Sequence, residues 1–287
     1  MENFRSNKKA LVVEGGGMRG VFAAGVLNAF GSAGFDPFDL YLGVSAGACN
    51  LASHLAGQND RNFDIIERYS IDGRFINWKR FLRGGHLMDL DWLWDITIRE
   101  YRLDLKKIFE KLHRQNKICV IVATSVATGK AVYLEPDEET LEYYLKVSSS
   151  LPFFYRRFLE VHSEKMTDGG VADSLPVREA IRRGATEITV IRTRPSRYVK
   201  KKTAFSLLYP LIFRNYPLFA EAMKKRPEVY MEAVRLIQRP PAGIRVFEIA
   251  PPPHMDIGRI TTDIGALKAA YQLGRDDAGR FMDNYPS

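Results

Sequence analysis

Short, nearly continuous apolar runs alternate along the chain with longer segments suited to helices. The runs predict buried strands, which lie at residues 9–14, 40–44, 117–124, 131–136, 187–193 and 244–252. The segments between them predict helices, which lie at residues 19–33, 45–57, 176–184 and 262–283. Buried strands that alternate with helices form a mostly parallel sheet covered on both faces, so the pattern predicts an α/β fold.

Two segments interrupt this alternation and divide the chain. Residues 74–103 contain all three tryptophans together with several arginines, and residues 195–243, here called the basic segment, are rich in lysine and arginine. We expect a core over residues 9–194 that carries the first segment as an insertion, followed by a basic segment that is helical. Residues 244–287 would then supply a last strand and helix that complete the same domain.

The first predicted strand runs into the sequence EGGGMRG, which places Gly15, Gly17 and Gly20 in a G-x-G-x-x-G pattern. A glycine-rich loop between a strand and a helix presents backbone N–H groups to an anion. In a dinucleotide site the anion is a pyrophosphate, and an acidic residue at the end of the next strand holds the ribose. Here Asp36 and Asp39 precede the next strand, at its wrong end, which weighs against a nucleotide.

The next strand ends instead in GVSAG, residues 43–47, ahead of a predicted helix. This G-x-S-x-G pattern is typical of a nucleophile elbow, in which Gly43 and Gly47 leave room for a tight turn that exposes Ser45. The helix behind the turn directs its positive end toward developing negative charge. The alternative is an ordinary glycine-rich turn in which Ser45 is a helix N-cap.

The spacing of the two motifs predicts that they share one crevice. Gly17 and Ser45 are 28 residues apart, about the length of one βαβ unit. Parallel strands joined by such a right-handed unit deliver their following loops to the same sheet edge. The serine should therefore face the N–H groups of the glycine loop, which is the arrangement that acyl transfer requires.

The serine needs a general base, and the histidines are weak candidates. His254 alone follows late enough for a Ser-Asp-His order, and it lies in a proline-rich loop, whereas His54 lies on the helix behind the elbow and should point away. Asp168 is the better candidate, because it ends a strand-like run and is followed by two glycines and a helix. On local sequence alone, a common Asp-Gly turn explains this residue equally well.

Three ordered motifs, GGGMRG, GVSAG and DGG, resemble the signatures of the patatin-like phospholipases, as do SSSLPFFY at residues 148–155 and the helix after DGG. The resemblance covers residues 9–194. It implies a three-layer α/β/α fold, a Ser-Asp dyad without histidine and the hydrolysis of acyl esters in lipids. We expect no cofactor. Asp173 departs from the family pattern, in which asparagine is frequent, at a position that we take to be structural.

Carried over motif by motif, the resemblance implies a complete site. The N–H groups around Gly16, Gly17 and Met18 would bind the oxyanion. The nucleophile would be Ser45 and its base Asp168. The elbow glycines would be Gly43 and Gly47, and the DGG glycines Gly169 and Gly170. The oxyanion loop would comprise Gly15, Gly16, Gly17, Met18, Arg19 and Gly20.

The positive charge of the chain is concentrated in one region. The net charge is +8, and residues 192–240 hold twelve Lys or Arg against three Glu, so the rest of the chain is close to neutral. Because apolar and aromatic residues interleave with these lysines, we expect the basic segment either to contact an anionic membrane surface or to form a helical subdomain with a solvated basic face. Nucleic-acid binding is not expected, since no nucleic-acid module is recognisable.

The tryptophan-rich insertion at residues 74–103 has two interpretations. It could cap the site or line an acyl channel, with the glycines of LRGGHLMD, residues 82–89, as hinges of a lid. Ordinary core packing of the three tryptophans explains the same residues equally well.

The cysteines and the lengths of the apolar runs indicate the cellular compartment in which we expect the protein. Cys49 and Cys119 lie far apart in apolar surroundings, which favours reduced thiols, and no metal-ligand spacing is present. The N-terminal apolar run is too short for a signal peptide, and no run approaches the roughly 20 apolar residues of a membrane span. We therefore expect a cytoplasmic serine hydrolase. The alternatives are a non-catalytic lipid-binding protein of the same fold and a nucleotide-dependent oxidoreductase.

Overall fold

One mixed sheet of eight strands runs through the computed structural model, which describes residues 7–286. The N-terminal run considered above as a leader therefore lies partly outside the described residues. The first half of the chain forms, in order, β1 (Lys8–Val13), α1 (Gly20–Ser32), β2 (Leu40–Val44), α2 (Ala46–Leu55), α3 (Arg61–Ile65), α4 (Trp78–Leu82), α5 (Leu90–Glu100), α6 (Leu105–Arg114), β3 (Ile118–Ser125), β4 (Ala131–Leu134) and α7 (Leu141–Ser148). The second half forms β5 (Leu159–Val161), β6 (Glu164–Asp168), α8 (Val177–Arg182), β7 (Ala185–Ile191), α9 (Tyr209–Ile212), α10 (Pro217–Gln238), β8 (Arg245–Ile249) and α11 (Ile264–Asp283).

The strands lie in the order β5-β6-β3-β2-β1-β7-β8, and β4 also pairs with β3. β3, β2, β1, β7 and β8 are parallel to one another, whereas β4 and β6 are antiparallel to β3 and β5 is antiparallel to β6. Val122 pairs with β2 and β4, and Ala123 pairs with β6 and β4. β2 and β6 therefore lie end to end along the same side of β3. This architecture confirms the predicted α/β fold with a mostly parallel sheet.

Alternate residues of the central strands fill two apolar layers. In β1, Leu11 and Val13 pack on one face of the sheet with α1 and α2, and Ala10 and Val12 pack on the other with α8 and α10. All four residues are fully buried, and burying a valine or leucine side chain contributes about 1.5–3 kcal/mol. Because both faces are covered, these strands appear in the sequence as continuous apolar runs.

The predicted elements agree with the observed ones to within a few residues. The strand at 40–44 has its predicted bounds, and the helix predicted from residue 19 begins at Gly20, because a short 3₁₀ turn occupies Gly17–Arg19. The run that ends at Asp168 is β6, the second strand of an antiparallel hairpin, an orientation that the sequence pattern does not specify. The prediction omitted α6 and α7, which precede and follow the β3-β4 pair.

The two interrupting segments are largely helical. Residues 74–103 contain α4 and α5, and an isolated antiparallel bridge joins Ile76 to Met88. The basic segment contains a 3₁₀ turn at Ala204–Leu208, then α9 and the long α10. None of the helices between residues 7 and 286 combines the length and the apolar character that crossing a bilayer requires.

Candidate active site

Ser45 occupies a strained turn between β2 and α2. Its backbone has φ 54° and ψ −129°, a region that residues with a side chain rarely adopt. The Ser45 N–H donates to the Ser148 Oγ at 2.8 Å, and the Ser148 hydroxyl donates to the Val122 carbonyl at 2.6 Å. Two hydrogen bonds through Ser148 therefore fix the turn to β3.

Two glycines flank the turn, as the G-x-S-x-G pattern predicts. Gly43 lies near the end of β2 and Gly47 near the start of α2. A Cβ added to Gly47 would lie 2.4 Å from the Val13 carbonyl oxygen, so glycine alone lets α2 approach β1 this closely. The positive N-terminal end of α2 consequently adjoins the turn that carries Ser45.

The glycine loop lies directly against the serine turn. A Cβ added to Gly15 would stand 2.9 Å from the Ser45 Cβ. The N–H groups of Gly15, Gly16 and Gly17 find no acceptor among residues 7–286, so they are free to receive an anion. The glycine loop and the Ser45 turn are therefore neighbours in the structure.

The rest of the predicted oxyanion loop makes other contacts. The Met18 N–H donates to the Arg259 carbonyl at 3.1 Å, so in this conformation Met18 is not a free donor. Arg19 is buried, and its Nε has no hydrogen-bond partner within the described residues. Burial, together with the charges of Arg259 and Arg194, lowers the pKa of Arg19 to about 9. Gly20 begins α1 and packs against α2.

Asp168 reaches the serine turn from the end of another strand. It is the last residue of β6 and pairs with Ala123, whose neighbour Val122 pairs with the last residue of β2. The Gly170 N–H donates to the Asp168 Oδ1 at 2.7 Å. The other carboxylate oxygen, Oδ2, is buried and accepts no hydrogen bond within the described residues. Asp168 and Ser45 line the same small cavity.

Burial raises the pKa of the Asp168 carboxyl above its ordinary value. The Ser45 side chain, Arg226 and the Gly170 N–H oppose this rise, because each stabilises the charged form. No hydrogen bond of ordinary geometry joins Ser45 to Asp168, although both side chains line one cavity. A carboxylate with a raised pKa is a stronger base than an ordinary aspartate, and this one faces a hydroxyl.

The histidines considered from the sequence lie elsewhere. His54, on α2, is buried with its Nε2 3.8 Å from the Asp36 Oδ1, and His254 is exposed in the loop after β8. Neither lines the two cavities that contain Ser45. Among residues 7–286, the structure thus brings Asp168 and no histidine to the serine.

A cavity of about 130 Å³, the apolar cavity, opens beside Ser45. The tryptophan-rich insertion supplies much of its wall, including Phe75, Leu93 and Trp94, and α2 supplies Cys49. Burial raises the pKa of the Cys49 thiol, so this group remains neutral and adds to the apolar lining. The insertion therefore lines a cavity at the serine.

A second cavity, of about 30 Å³, shares Ser45 with the first and contains Asp168. We call it the cationic cavity, because five basic side chains line it: Arg19, Arg194, Lys200, Arg226 and Arg259. Ser45 therefore lies where an apolar cavity meets a cationic one.

Comparison with known protein families identifies the part of the chain that carries this site. A family model described as patatin-like phospholipase matches residues 11–181, more than half of the chain. The chain belongs to the patatin-like phospholipase family. Membership supports a lipid acyl hydrolase, and the mostly parallel sheet covered by helices is the expected patatin-like α/β/α fold.

Three further comparisons extend beyond the patatin-like region. A second family model, described as a domain of unknown function (DUF6363), matches residues 216–287. The chain is 35% identical over 281 residues to the uncharacterized protein YjjU of Escherichia coli (strain K12). The matched region covers 95% of this chain and 76% of that protein. The crystal structure of VipD from Legionella pneumophila matches with a TM-score of 0.45 and 13% identity, covering 98% of this chain and 67% of that one.

The residues around Ser45 do not suit a dinucleotide. A dinucleotide site needs an acidic side chain at the end of β2, and that position is occupied by Ser45. Residues 7–286 contain no group of three or more His, Cys, Asp or Glu side chains that could hold a metal ion. The geometry around Ser45 therefore favours acyl transfer over nucleotide binding.

Sequence reasoning missed several residues of the patatin-like site. Ser148 begins the stretch SSSLPFFY, but nothing local indicates that its hydroxyl fixes the Ser45 turn. Arg226 lies within α10, and its Nε–H donates to the Gly170 carbonyl at 2.7 Å. Gly169, between Asp168 and that carbonyl, packs against β3. Only the general basicity of the basic segment indicated that such a cation was available.

Proposed function

We propose that the protein is a serine acyl hydrolase that cleaves lipid esters, of the phospholipase A or lysophospholipase type, with Ser45 as nucleophile and Asp168 as base. The position of Ser45 carries this proposal: a serine on a strained turn faces a buried carboxylate whose Oδ2 has no partner within the described residues. The free N–H groups of Gly15, Gly16 and Gly17 adjoin the same turn. A nucleophile, a base and prearranged donors are the parts that acyl transfer needs.

The first half of the reaction transfers the acyl group to the enzyme. The Ser45 Oγ attacks the ester carbonyl carbon while the Asp168 carboxylate takes the hydroxyl proton. The carbonyl oxygen becomes an oxyanion, which the free N–H groups of the glycine loop stabilise. When the intermediate collapses, the bond to the alcohol oxygen breaks, and the alcohol leaves with the proton that Asp168 held. The products are acyl-Ser45 and the free alcohol.

The second half of the reaction releases the fatty acid. Asp168 takes a proton from a water molecule, and the water oxygen attacks the acyl carbon. The same loop binds the second oxyanion. As the bond to the Ser45 Oγ breaks, Asp168 returns the proton to the serine, and the free acid leaves. One aspartate therefore acts alternately as base and acid, which the raised pKa of its carboxyl favours.

The apolar cavity is suited to the acyl chain of the substrate. Its lining is predominantly apolar, and it begins at Ser45. Each methylene buried there contributes about 0.8 kcal/mol to binding, so the cavity would select substrates by chain length. The insertion at residues 74–103 would then act as the wall of an acyl channel.

The basic segment offers a surface for a membrane. Phe205, Leu207 and Leu211 are exposed on it, close in sequence to the exposed Lys201 and Arg214. Exposed apolar side chains among basic ones suit the boundary between acyl chains and anionic headgroups. This segment would therefore make peripheral contact with a membrane that contains anionic lipid.

An aromatic cluster connects this surface to the neighbourhood of the DGG motif. Phe153, in the loop after α7, packs against Phe205, Tyr209 and Phe213 with ring centroids 5.4 to 5.9 Å apart. Val171, just after the DGG motif, belongs to the same cluster. A lipid drawn from a membrane would thus be delivered close to the dyad. The enzyme would act at the cytoplasmic face of the membrane, where its free thiols remain reduced.

Covalent labelling and hydrolysis test the proposed dyad. A fluorophosphonate probe should label the wild-type protein and not Ser45→Ala. Ser45→Ala and Asp168→Asn should each lower the hydrolysis of p-nitrophenyl butyrate at least about 1,000-fold in a folded protein. His254→Ala, a change at an exposed residue outside both cavities, is the matched control and should retain wild-type activity.

Two outcomes would contradict the proposal. Near wild-type activity in Asp168→Asn would show that another group is the base. Binding of lipid by a wild-type protein that neither reacts with the probe nor hydrolyses esters would favour the non-catalytic alternative.

A further inference from the structure

The cationic cavity carries more positive charge than the hydrolysis of an ester requires. Two carboxylates, Glu14 and Asp168, face its five cations. Glu14 already accepts the Thr193 N–H at 2.7 Å, and Asp168 is the proposed base. The protein therefore supplies few negative groups to balance this cluster.

The five cations lack ion-pair partners. None of them pairs with a carboxylate within residues 7–286, since the ion pairs nearby use other basic residues. The Arg19 Nε is buried and has no hydrogen-bond partner within the described residues, and the Arg226 Nε–H donates to the Gly170 carbonyl. The Lys200 Nζ lies 4.6 Å from the centre of the Tyr230 ring, a cation–π contact. Arg19 is buried and the other four are half-buried. Because charges removed from water are normally paired, this cluster is suited to an anion from outside the protein.

The cations also lower one another's pKa values, because each makes a second positive charge nearby less favourable. Burial, Arg226 and Arg259 lower the pKa of Lys200 to about 6. Burial, Arg259 and Arg194 likewise lower the pKa of Arg19 to about 9. A dianion bound in the cavity would oppose both shifts, because it would stabilise the protonated forms of Lys200 and Arg19.

The size and position of the cavity restrict the anion. Its volume of about 30 Å³ holds roughly two or three water-sized groups, which suits a phosphate better than a bulky headgroup. Ser45 lines this cavity and the apolar cavity as well. An ester at Ser45 can therefore extend its acyl chain into one cavity and a nearby phosphate into the other.

We propose that the cationic cavity binds a phosphate of the substrate, and that the preferred substrates are acyl esters with a compact phosphate monoester close to the scissile bond. This inference rests on the proposed acyl hydrolase function. Arg194 and Lys200 lie beyond the patatin-like region, and Arg226 and Arg259 lie within residues 216–287. The domain of unknown function therefore contributes two of the groups that recognise the headgroup.

Two soluble substrates that differ only in the phosphate test this inference. 1-Octanoylglycerol 3-phosphate and 1-octanoylglycerol, used below their micelle concentrations, contain the same ester. The wild-type kcat/KM should be about 100-fold higher for the phosphate-bearing ester, the effect of one or two charge-assisted hydrogen bonds. Lys200→Gln and Arg226→Gln should each reduce this ratio about tenfold. Arg235→Gln changes an exposed cation of α10 outside the cavity and should leave the ratio unchanged.

The outcomes separate this inference from the function on which it rests. Equal kcat/KM for the two substrates, with hydrolysis that depends on Ser45, overturns the inference and leaves the acyl hydrolase intact. If Arg226→Gln lowers both activities equally, so that their ratio is unchanged, this cation serves only to adjust Asp168, and the inference is again wrong. Failure to hydrolyse either substrate in a Ser45-dependent manner contradicts the proposed function itself.

Inorganic phosphate distinguishes a headgroup from a free ion. If the substrate's own phosphate occupies the cavity, inorganic phosphate should inhibit the hydrolysis of 1-octanoylglycerol 3-phosphate competitively, and more weakly in Lys200→Gln. If phosphate instead accelerates the hydrolysis of 1-octanoylglycerol and does not inhibit that of the phosphate-bearing ester, the cavity serves a free ion and the headgroup assignment is wrong.

Discussion

Ser45 and Asp168 meet because the strands that precede them, β2 and β6, run toward each other along one side of β3. Val44 pairs with Val122 and Asp168 pairs with Ala123, so the two strands end at consecutive positions of β3. The serine arrives from a parallel strand and the aspartate from an antiparallel one. The geometry of the proposed dyad is thus set by the register of a strand that contains neither residue.

Activity should rise with pH through the pKa of Asp168. Burial raises this pKa above its ordinary value of 3.8, and only the carboxylate can accept the serine proton, so kcat/KM should be low where Asp168 is protonated and level off above its raised pKa. The pH profile of p-nitrophenyl butyrate hydrolysis measures this limb. Arg226→Gln removes a cation that lowers the pKa of Asp168 and should move the limb to higher pH. A limb at or below pH 3.8 would contradict a buried base.

Glycine at position 45 should give a more stable protein than alanine. The backbone of Ser45 lies in a region that costs a residue with a Cβ about 1–3 kcal/mol. Glycine relieves this strain but loses more conformational entropy on folding. The free energy of unfolding of Ser45→Gly, from urea denaturation, should therefore exceed that of Ser45→Ala by roughly 1 kcal/mol. Equal stabilities of the two variants would mean that the turn is not strained. Both variants should lack hydrolytic activity, because neither has the Ser45 hydroxyl.

Filling the apolar cavity should shorten the acyl chains that the enzyme accepts. Leu93 is buried in the cavity wall, so Leu93→Trp should lower kcat/KM for a dodecanoyl ester about tenfold or more while changing that for an acetyl ester little. A series of p-nitrophenyl esters of increasing chain length measures this effect. Leu93→Ala, which enlarges the same space, is the companion variant. Identical losses across the series in Leu93→Trp would mean that the cavity does not hold the acyl chain.

Negative charge introduced into the exposed apolar surface should release the protein from vesicles. Leu207 and Leu211 are 74% and 72% exposed, so Leu207→Glu combined with Leu211→Glu should leave the fold intact and weaken binding to vesicles with anionic lipid about tenfold or more. Flotation with anionic and with neutral vesicles, at low and high salt, measures the binding. Equal and salt-insensitive recovery of wild type and variant would contradict an electrostatic contact. Hydrolysis of p-nitrophenyl butyrate should stay unchanged.

The parts of the site that could be predicted are those encoded in contiguous residues. EGGGMRG and GVSAG each specify a turn within a few positions, so the glycine loop and Ser45 follow from local sequence. Asp168 could be proposed from the sequence as well, but the direction of the strand that carries it to Ser45 could not. The orientation of β6 depends on pairing with β3, and a short strand between turns carries no sign of whether it runs parallel or antiparallel to its neighbour.

The cationic cavity could not be predicted, because folding assembles it from distant positions. The high density of basic residues after position 192 predicts a charged surface and does not say which cations turn inward. On α10, Lys224 and Lys225 are exposed, whereas Arg226 reaches the Gly170 carbonyl. That difference arises from the face on which α10 packs, which is a tertiary contact. Lys200 likewise reaches the cavity through a loop without a local motif.

Because the Met18 N–H donates to the Arg259 carbonyl and β1 pairs with β7, we expect that the motif-bearing region does not fold alone. A fragment ending at residue 181 would contain every recognised motif, yet β1 would lose its neighbour β7 and the glycine loop its C-terminal tether. Changes that remove the residues after position 181 should therefore act as active-site mutations. Surveys that judge such chains by motif alone would count inactive proteins as enzymes.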